Sequence, residues 1–98
     1  MKNIISGLNK LFDSRIKLGI MAALSVNDGV DFNTLKEILE ITDGNLASHL
    51  KALEKHGLIS VQKQFVGRKP NTTYSITALG KATFQEHLNA LEKLIRPL

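Results

Sequence analysis

Two stretches with helical patterning stand almost end to end in this chain, and that spacing constrains its fold more than any other feature. "TLKEILEI" carries Leu35, Ile38 and Leu39 on one side, with Asn33 placed to cap it. Thr42 follows Ile41 directly and reads as the cap of the next helix, with Asn45 at the third helical position as a partial capping box. That second helix, about 43–56, turns Leu46, Leu50 and Leu53 inward at spacings of four and three, and Gly57 closes it in a left-handed conformation. Two helices joined by so few residues must cross at a steep angle.

The flanking pattern completes the architecture. "KNIISGLNKLF" sets Ile4, Ile5, Leu8, Leu11 and Phe12 at helical spacing, weakened at Gly7. Asp13 or Ser14 can cap a further helix, "RIKLGIMAALSV", with Ile16, Ile20, Ala23 and Leu24 as its buried stripe, and "NDG" ends it. "VDF" reads as a very short strand. After Gly57, "LISVQKQFV" alternates, with Ile59, Val61, Lys63 and Phe65 on one side. "GRKPNT" reads as a loop, and "TYSIT" returns as the partner strand, giving a hairpin over about 58–77. Thr77 can cap a last helix, about 78–96, which carries Phe84, Leu88, Leu91 and Ile95 until Pro97 stops it. The expected fold is therefore mainly α with a small β-hairpin (α+β), one domain over residues 1–98. In that order, helices followed by a basic hairpin form a winged helix-turn-helix.

Charge is uneven. The chain has a formal charge of +4, yet Gly44 to Lys81 holds six cations (Lys51, Lys55, Lys63, Arg68, Lys69 and Lys81) against Glu54, or +5, leaving −1 elsewhere. Positive charge gathered in one region suggests a polyanion partner. The outer side of the 43–56 helix points the same way. A helix that enters a major groove needs an apolar back, small residues near its start and hydrogen-bonding groups facing out. Leu46, Leu50 and Leu53 supply the back. Gly44, Asn45, Ala47, Ser48 and His49 supply the front, with Lys51 and Lys55 further along for phosphates. Asp43 opposes phosphate there but suits the helix dipole. Arg68 and Lys69 at the hairpin tip can enter a minor groove or clamp the backbone.

Together, "TDGNLASHLKALEKHGLISVQKQFVGRKPNTTYSITALG" resembles the winged-helix DNA-binding domains of MarR/ArsR-type transcriptional regulators. It especially resembles a small stand-alone winged-helix family with "DGNL..HL..LE..G" followed by "GR.P.T.Y..T..G". The resemblance implies a regulator that binds double-stranded DNA as a homodimer. Residue by residue, Gly44, Asn45, Ser48 and His49 match its recognition-helix surface, and Arg68 and Lys69 its wing; Thr42, Lys51 and Lys55 are also expected to face DNA. No added sensor domain is expected, and the sequence holds no cysteine of the kind that metal-sensing relatives use.

Other chemistries find little support. His49 and His56 share a helix face but stand ~10 Å apart along its axis, too far for one ion alone. His87 is expected at the surface or an interface. Glu37, Glu40, Glu86 and Glu92 read as helix-surface charges, and no nucleophile motif or phosphate loop is present, so neither catalysis nor a metal or other cofactor is expected. Met1 to Phe12 is too polar for a signal peptide and no apolar run could span a membrane, which fits a cytoplasmic protein. The terminal segments hold more apolar groups than so small a monomer readily hides. Ile4, Ile5, Leu8, Phe12, Phe84, Leu88, Leu91 and Ile95, widened by Leu94 and Leu98, are expected to form a two-fold dimer from N- and C-terminal dimerisation helices. Two other functions fit such a domain: a protein–protein interaction module, and a ligand-responsive sensor with a pocket at the dimer interface.

Overall fold

In the computed structural model, which describes residues 4–97, each α-helix opens at a short polar side chain that accepts a free backbone N–H. Ser14 accepts from Lys17 at 3.2 Å and starts α1 (Arg15–Ser25). Asp31 accepts from Thr34 at 2.8 Å and starts α2 (Phe32–Leu39). Thr42 accepts from Asn45 at 3.2 Å and starts α3 (Asp43–Lys55). Thr77 accepts from Gly80 at 2.9 Å and starts α4 (Ala78–Leu94).

One cap differs from the sequence expectation: Asp31, not Asn33, opens α2. The reason lies in the sheet. Val30 and Asp31 form β1, antiparallel to Tyr74 and Thr73, and this pairing holds Asp31 in the extended backbone that a cap requires. Hydrogen bonds from the Thr34 side chain and backbone hold the Asp31 carboxyl below its usual range.

The helix-turn-helix corner is tight because α2 stops in an unusual way. Glu40 adopts the left-handed conformation, φ 51° and ψ 51°, and no glycine marks the position. A side chain there costs ~1–2 kcal/mol, only partly recovered through the lower entropy of the unfolded chain. Glu40→Gly is thus expected to stabilise the protein by ~0.5–1 kcal/mol and to raise its urea midpoint. A lowered midpoint would show that the Glu40 side chain holds the corner by some contact of its own.

At its far end α3 closes in a Schellman motif. The Gly57 N–H donates to the Glu54 carbonyl at 2.9 Å, the Leu58 N–H to the Leu53 carbonyl at 3.1 Å, and Gly57 has φ +75°. Leu53 and Leu58 are both buried, the apolar contact that usually goes with this turn. The turn feeds directly into β2 (Ile59–Val66), which pairs with β3 (Lys69–Ile76) from Ile59↔Ile76 to Val66↔Lys69. The sheet order is β1-β3-β2. The connecting turn is only Gly67–Arg68, shorter than the loop expected from "GRKPNT", and Gly67 has the positive φ (+67°) that a type II′ hairpin needs at its first central residue. Lys69 and Pro70 belong to β3. Pro70 is tolerated there because β1 reaches only Tyr74 and Thr73, so the missing N–H faces no neighbouring strand.

The core lies between the helices and the near half of the sheet. Ile20, Met21 and Leu24 of α1, Leu35 of α2, and Leu46, Leu50 and Leu53 of α3 are its fully buried side chains. Leu58, Ile59 and Tyr74 close it from the sheet, and Phe12 and Phe84 from the chain termini. Burying each large aliphatic side chain contributes ~1.5–3 kcal/mol, so α3, with three of them, is firmly fixed by its inner side.

The N-terminal segment corrects the sequence reading. No α-helix forms over the described part of "KNIISGLNKLF"; residues 4–7 form turns, and a short 3-10 helix covers Lys10–Asp13, capped by the Asn9 side chain at the Leu11 N–H. Lys2, Asn3 and Leu98 lie outside the described residues. The segment folds back on α4, where Asn9 donates its N–H to His87 Nδ1 at 3.1 Å and Gly7 approaches Ala90. His87 is therefore buried, 4% exposed, not a surface group. Phe12 and Phe84 are also inside, in an edge-to-face contact with ring centroids 5.7 Å apart. Neither can line a dimer surface as expected from the sequence. Phe84 sits where α4 crosses the core, and the apolar stripe becomes free only beyond it. No described helix is long and apolar enough to cross a membrane.

Candidate nucleic-acid interface

The two sides of α3 have opposite surroundings. Leu46, Leu50 and Leu53 are buried, whereas Gly44, Asn45, Ala47, Ser48, Lys51 and Lys55 are exposed. Thr42, also exposed, keeps its hydroxyl oxygen engaged as the cap. Gly44 is the informative residue. Its backbone has an ordinary helical φ, and a Cβ built on it meets nothing within 4 Å. The fold would accept alanine there, with a gain of up to ~1 kcal/mol in helix propensity. Glycine at this position leaves backbone uncovered at the start of a helix, where free N–H groups are available to an anion or a base edge.

His49 is placed differently from its neighbours. It is half-buried on the flank of α3 toward α1, and Lys17 Nζ lies 2.9 Å from its Nδ1. Partial burial first, and the Lys17 charge second, push the imidazole pKa down. His56 is exposed at the C-cap, its Nδ1 2.9 Å from the Ala52 carbonyl. Among the described residues, no three His, Cys, Asp or Glu side chains gather as a metal site would require. Of the glutamates considered for other chemistry, Glu92 pairs with Arg96 one turn on, at 2.7 Å.

Cations that the sequence reading left out surround the start of α3. Lys36 of α2 pairs with Asp43 at 2.8 Å, which offsets the one acidic group expected to oppose phosphate. Arg15 of α1 and Lys36 line the same open depression as Thr42, Gly44 and Asn45. These residues precede the charged segment in sequence and join it only because α1 and α2 cross over α3. Their signal was therefore tertiary. The helical period does turn Lys17 to the flank of α1, but nothing local shows that the flank meets α3.

The wing carries its charge at the tip. Arg68 sits in the two-residue turn and Lys69 opens β3 opposite Val66. Both cations are exposed. The strand alternation sets Phe65 opposite Pro70 and Lys63 opposite Thr72 on one face, with Val66 and Lys69 on the other. Phe65 is 73% exposed and Val66 62%. The sequence reading assigned neither to a surface, because alternation alone does not show where the hairpin leaves the core.

The last apolar stripe splits along α4. Beyond buried Phe84, Leu88, Leu91 and Ile95 are exposed on the part of the helix that extends past the core, and Ile4 and Ile5 are exposed on the N-terminal segment, with Leu8 half-buried. The molecule is elongated, 58 × 25 × 21 Å.

A helix fixed by its leucines and bare on its outer side, a second helix crossing its start, and a basic two-stranded hairpin after it define a winged helix-turn-helix of the transcriptional-regulator type. Comparison with known proteins agrees. Residues 16–95 match the model of the winged helix DNA-binding domain family, and the chain belongs to that family. The Methanocaldococcus jannaschii protein MJ0432 is 35% identical over 85 residues, which cover 87% of this chain and 92% of that protein. A transcriptional regulator homologue from Pyrococcus horikoshii OT3 superposes with a TM-score of 0.83 at 29% identity, covering 94% of this chain and 89% of that one. MepR of S. aureus, solved as a complex with DNA, shares the fold with a TM-score of 0.76 at 14% identity, covering 90% of this chain and 72% of that one.

Proposed function

We propose that this protein is a homodimeric regulator of transcription that binds double-stranded DNA sequence-specifically, with α3 in the major groove and the β2–β3 wing on the adjacent groove or backbone. The uncovered outer side of α3 carries this reading. Gly44, Asn45 and Ser48 face solvent, with no structural need for glycine at its start, while the inner side is locked into the core. Lys51, Lys55, Arg68 and Lys69 are exposed and positioned for phosphates. MepR, whose structure is a complex with DNA, has the same fold. Leu88, Leu91 and Ile95, with Ile4 and Ile5, form the surface through which two copies associate.

Two copies related by a two-fold axis bind two half-sites in inverted orientation, with centres about one DNA turn, ~34 Å, apart. Selection of duplexes from a random pool by the full-length protein is expected to enrich such an inverted repeat. Recovery of no sequence preference would refute the reading, and recovery of lone half-sites would refute its dimeric part. Docking of a partner protein is a second reading. It draws on Phe65, since an exposed aromatic side chain is typical of protein contacts.

A further inference from the structure

The Lys17–His49 contact lies apart from the apolar core. It joins α1 to α3 by a half-buried hydrogen bond at the edge of the proposed reading surface. An ammonium group offers only donors, so His49 Nδ1 must be the acceptor and carry the lone pair. In a neutral imidazole the proton then resides on Nε2. Partial burial and the adjacent cation both keep the ring neutral. Among the described residues the ring has no other hydrogen-bond partner, so Nε2–H is left without an acceptor inside the protein.

We infer that Lys17 is a positioning residue that fixes His49 in its Nε2–H form, and that His49 thereby reads an acceptor on a base edge in the major groove, such as purine N7 or guanine O6. This rests on the DNA-binding reading above. The geometry supports it from both sides. His49 follows Asn45 by one turn on the same flank of α3, next to the exposed Ser48. Lys17 is anchored at the start of α1, where Ser14 accepts its backbone N–H. A histidine free to change tautomer would present either a donor or an acceptor and would discriminate poorly between base edges. Held as a donor, it favours purine N7 and guanine O6 over the cytosine N4 amino group.

Long-range 1H–15N correlation spectra of the full-length protein without DNA test the first half. His49 is expected in the Nε2–H form at neutral pH, Lys17→Met is expected to yield a tautomer mixture, and Lys17→Arg, which keeps the donor, is expected to restore the single form. A wild-type ring protonated at Nδ1, or a ring unchanged in Lys17→Met, would overturn the assignment. Thermal unfolding of each variant shows that the change is not due to misfolding. The second half is read on the duplex selected by the wild-type protein. Replacing the contacted purine by its 7-deaza analogue is expected to weaken binding about fivefold, and to have little effect on Lys17→Met or His49→Ala. Equal losses in wild type and variants would mean that another residue contacts the purine N7, and base reading by His49 would be abandoned. A Lys17 that acts only on phosphate would change the salt dependence and leave the tautomer intact. If no duplex is selected at all, the DNA reading fails while the tautomer result still stands or falls by itself.

Discussion

An alanine at position 80 is expected to destabilise this domain strongly, although alanine is the better helix former by ~1 kcal/mol. Gly80 lies in the first turn of α4 and is buried. The turn docks on the end of α3. The Thr77 hydroxyl accepts the Gly80 N–H at 2.9 Å and donates to the Gly57 carbonyl at 2.7 Å, while the Thr77 N–H donates to the Leu58 carbonyl at 3.1 Å. A Cβ on residue 80 would fall inside the Leu58 carbonyl oxygen and within 2.9 Å of Ile76 Cγ1. The obstacle is backbone, and that backbone is held by the Schellman turn, so it cannot swing aside as a side chain would. Relief requires moving α4 away from the α3–β2 junction and breaking the Thr77 bonds. The expected loss is at least ~3 kcal/mol, a large part of the ~5–15 kcal/mol total for a domain of this kind. The melting temperature should fall by ~12 °C or more. Gly44→Ala is the matched control, since its Cβ meets nothing. It should leave stability equal or improved and weaken only DNA binding. Equal behaviour of the two variants in a thermal melt would show that the close approach at Gly80 does not hold.

The second large effect is on salt dependence. Lys51, Lys55, Arg68 and Lys69 are exposed on α3 and the wing, and a dimer presents each of them twice. If each neutralises one phosphate, log K should fall with log salt at a slope near −7, and affinity should drop by about 10^4-fold between 50 and 200 mM salt. Replacing Arg68 and Lys69 together by alanine removes half of these contacts and should bring the slope to about −4. Replacing Asn45 or Ser48 should leave the slope alone and change which sequences bind. A slope near zero for the wild-type protein would exclude the electrostatic basis of the proposed function.

The interface was more legible in the sequence on α3 than elsewhere. Periodicity separates Leu46, Leu50 and Leu53 from Gly44, Asn45 and Ser48, because a helix of known period assigns its faces without help from other parts of the chain. The wing was legible as a hairpin but not in detail. Strand alternation gives the faces, whereas the two-residue turn depends on where pairing stops, and pairing is a property of both strands. The terminal stripe was half legible. Phe84 and Leu88 belong to one apolar pattern, yet only Phe84 is in the core, because α4 runs past the core's edge. His87 was misjudged for the related reason that its cover, the segment around Asn9, comes from the other end of the chain.

Local chemistry therefore determined the start of α3, its two faces, its glycine stop and the hairpin that follows, since caps, helical period and turn residues act within a few positions of each other. Only the packed chain decided that Lys17 meets His49, that Lys36 meets Asp43, that Leu58 leaves no room at Gly80, and which apolar groups stay outside. Each of these depends on a contact between different elements of the chain, and such contacts follow from how the elements pack against one another rather than from the residues along any one of them.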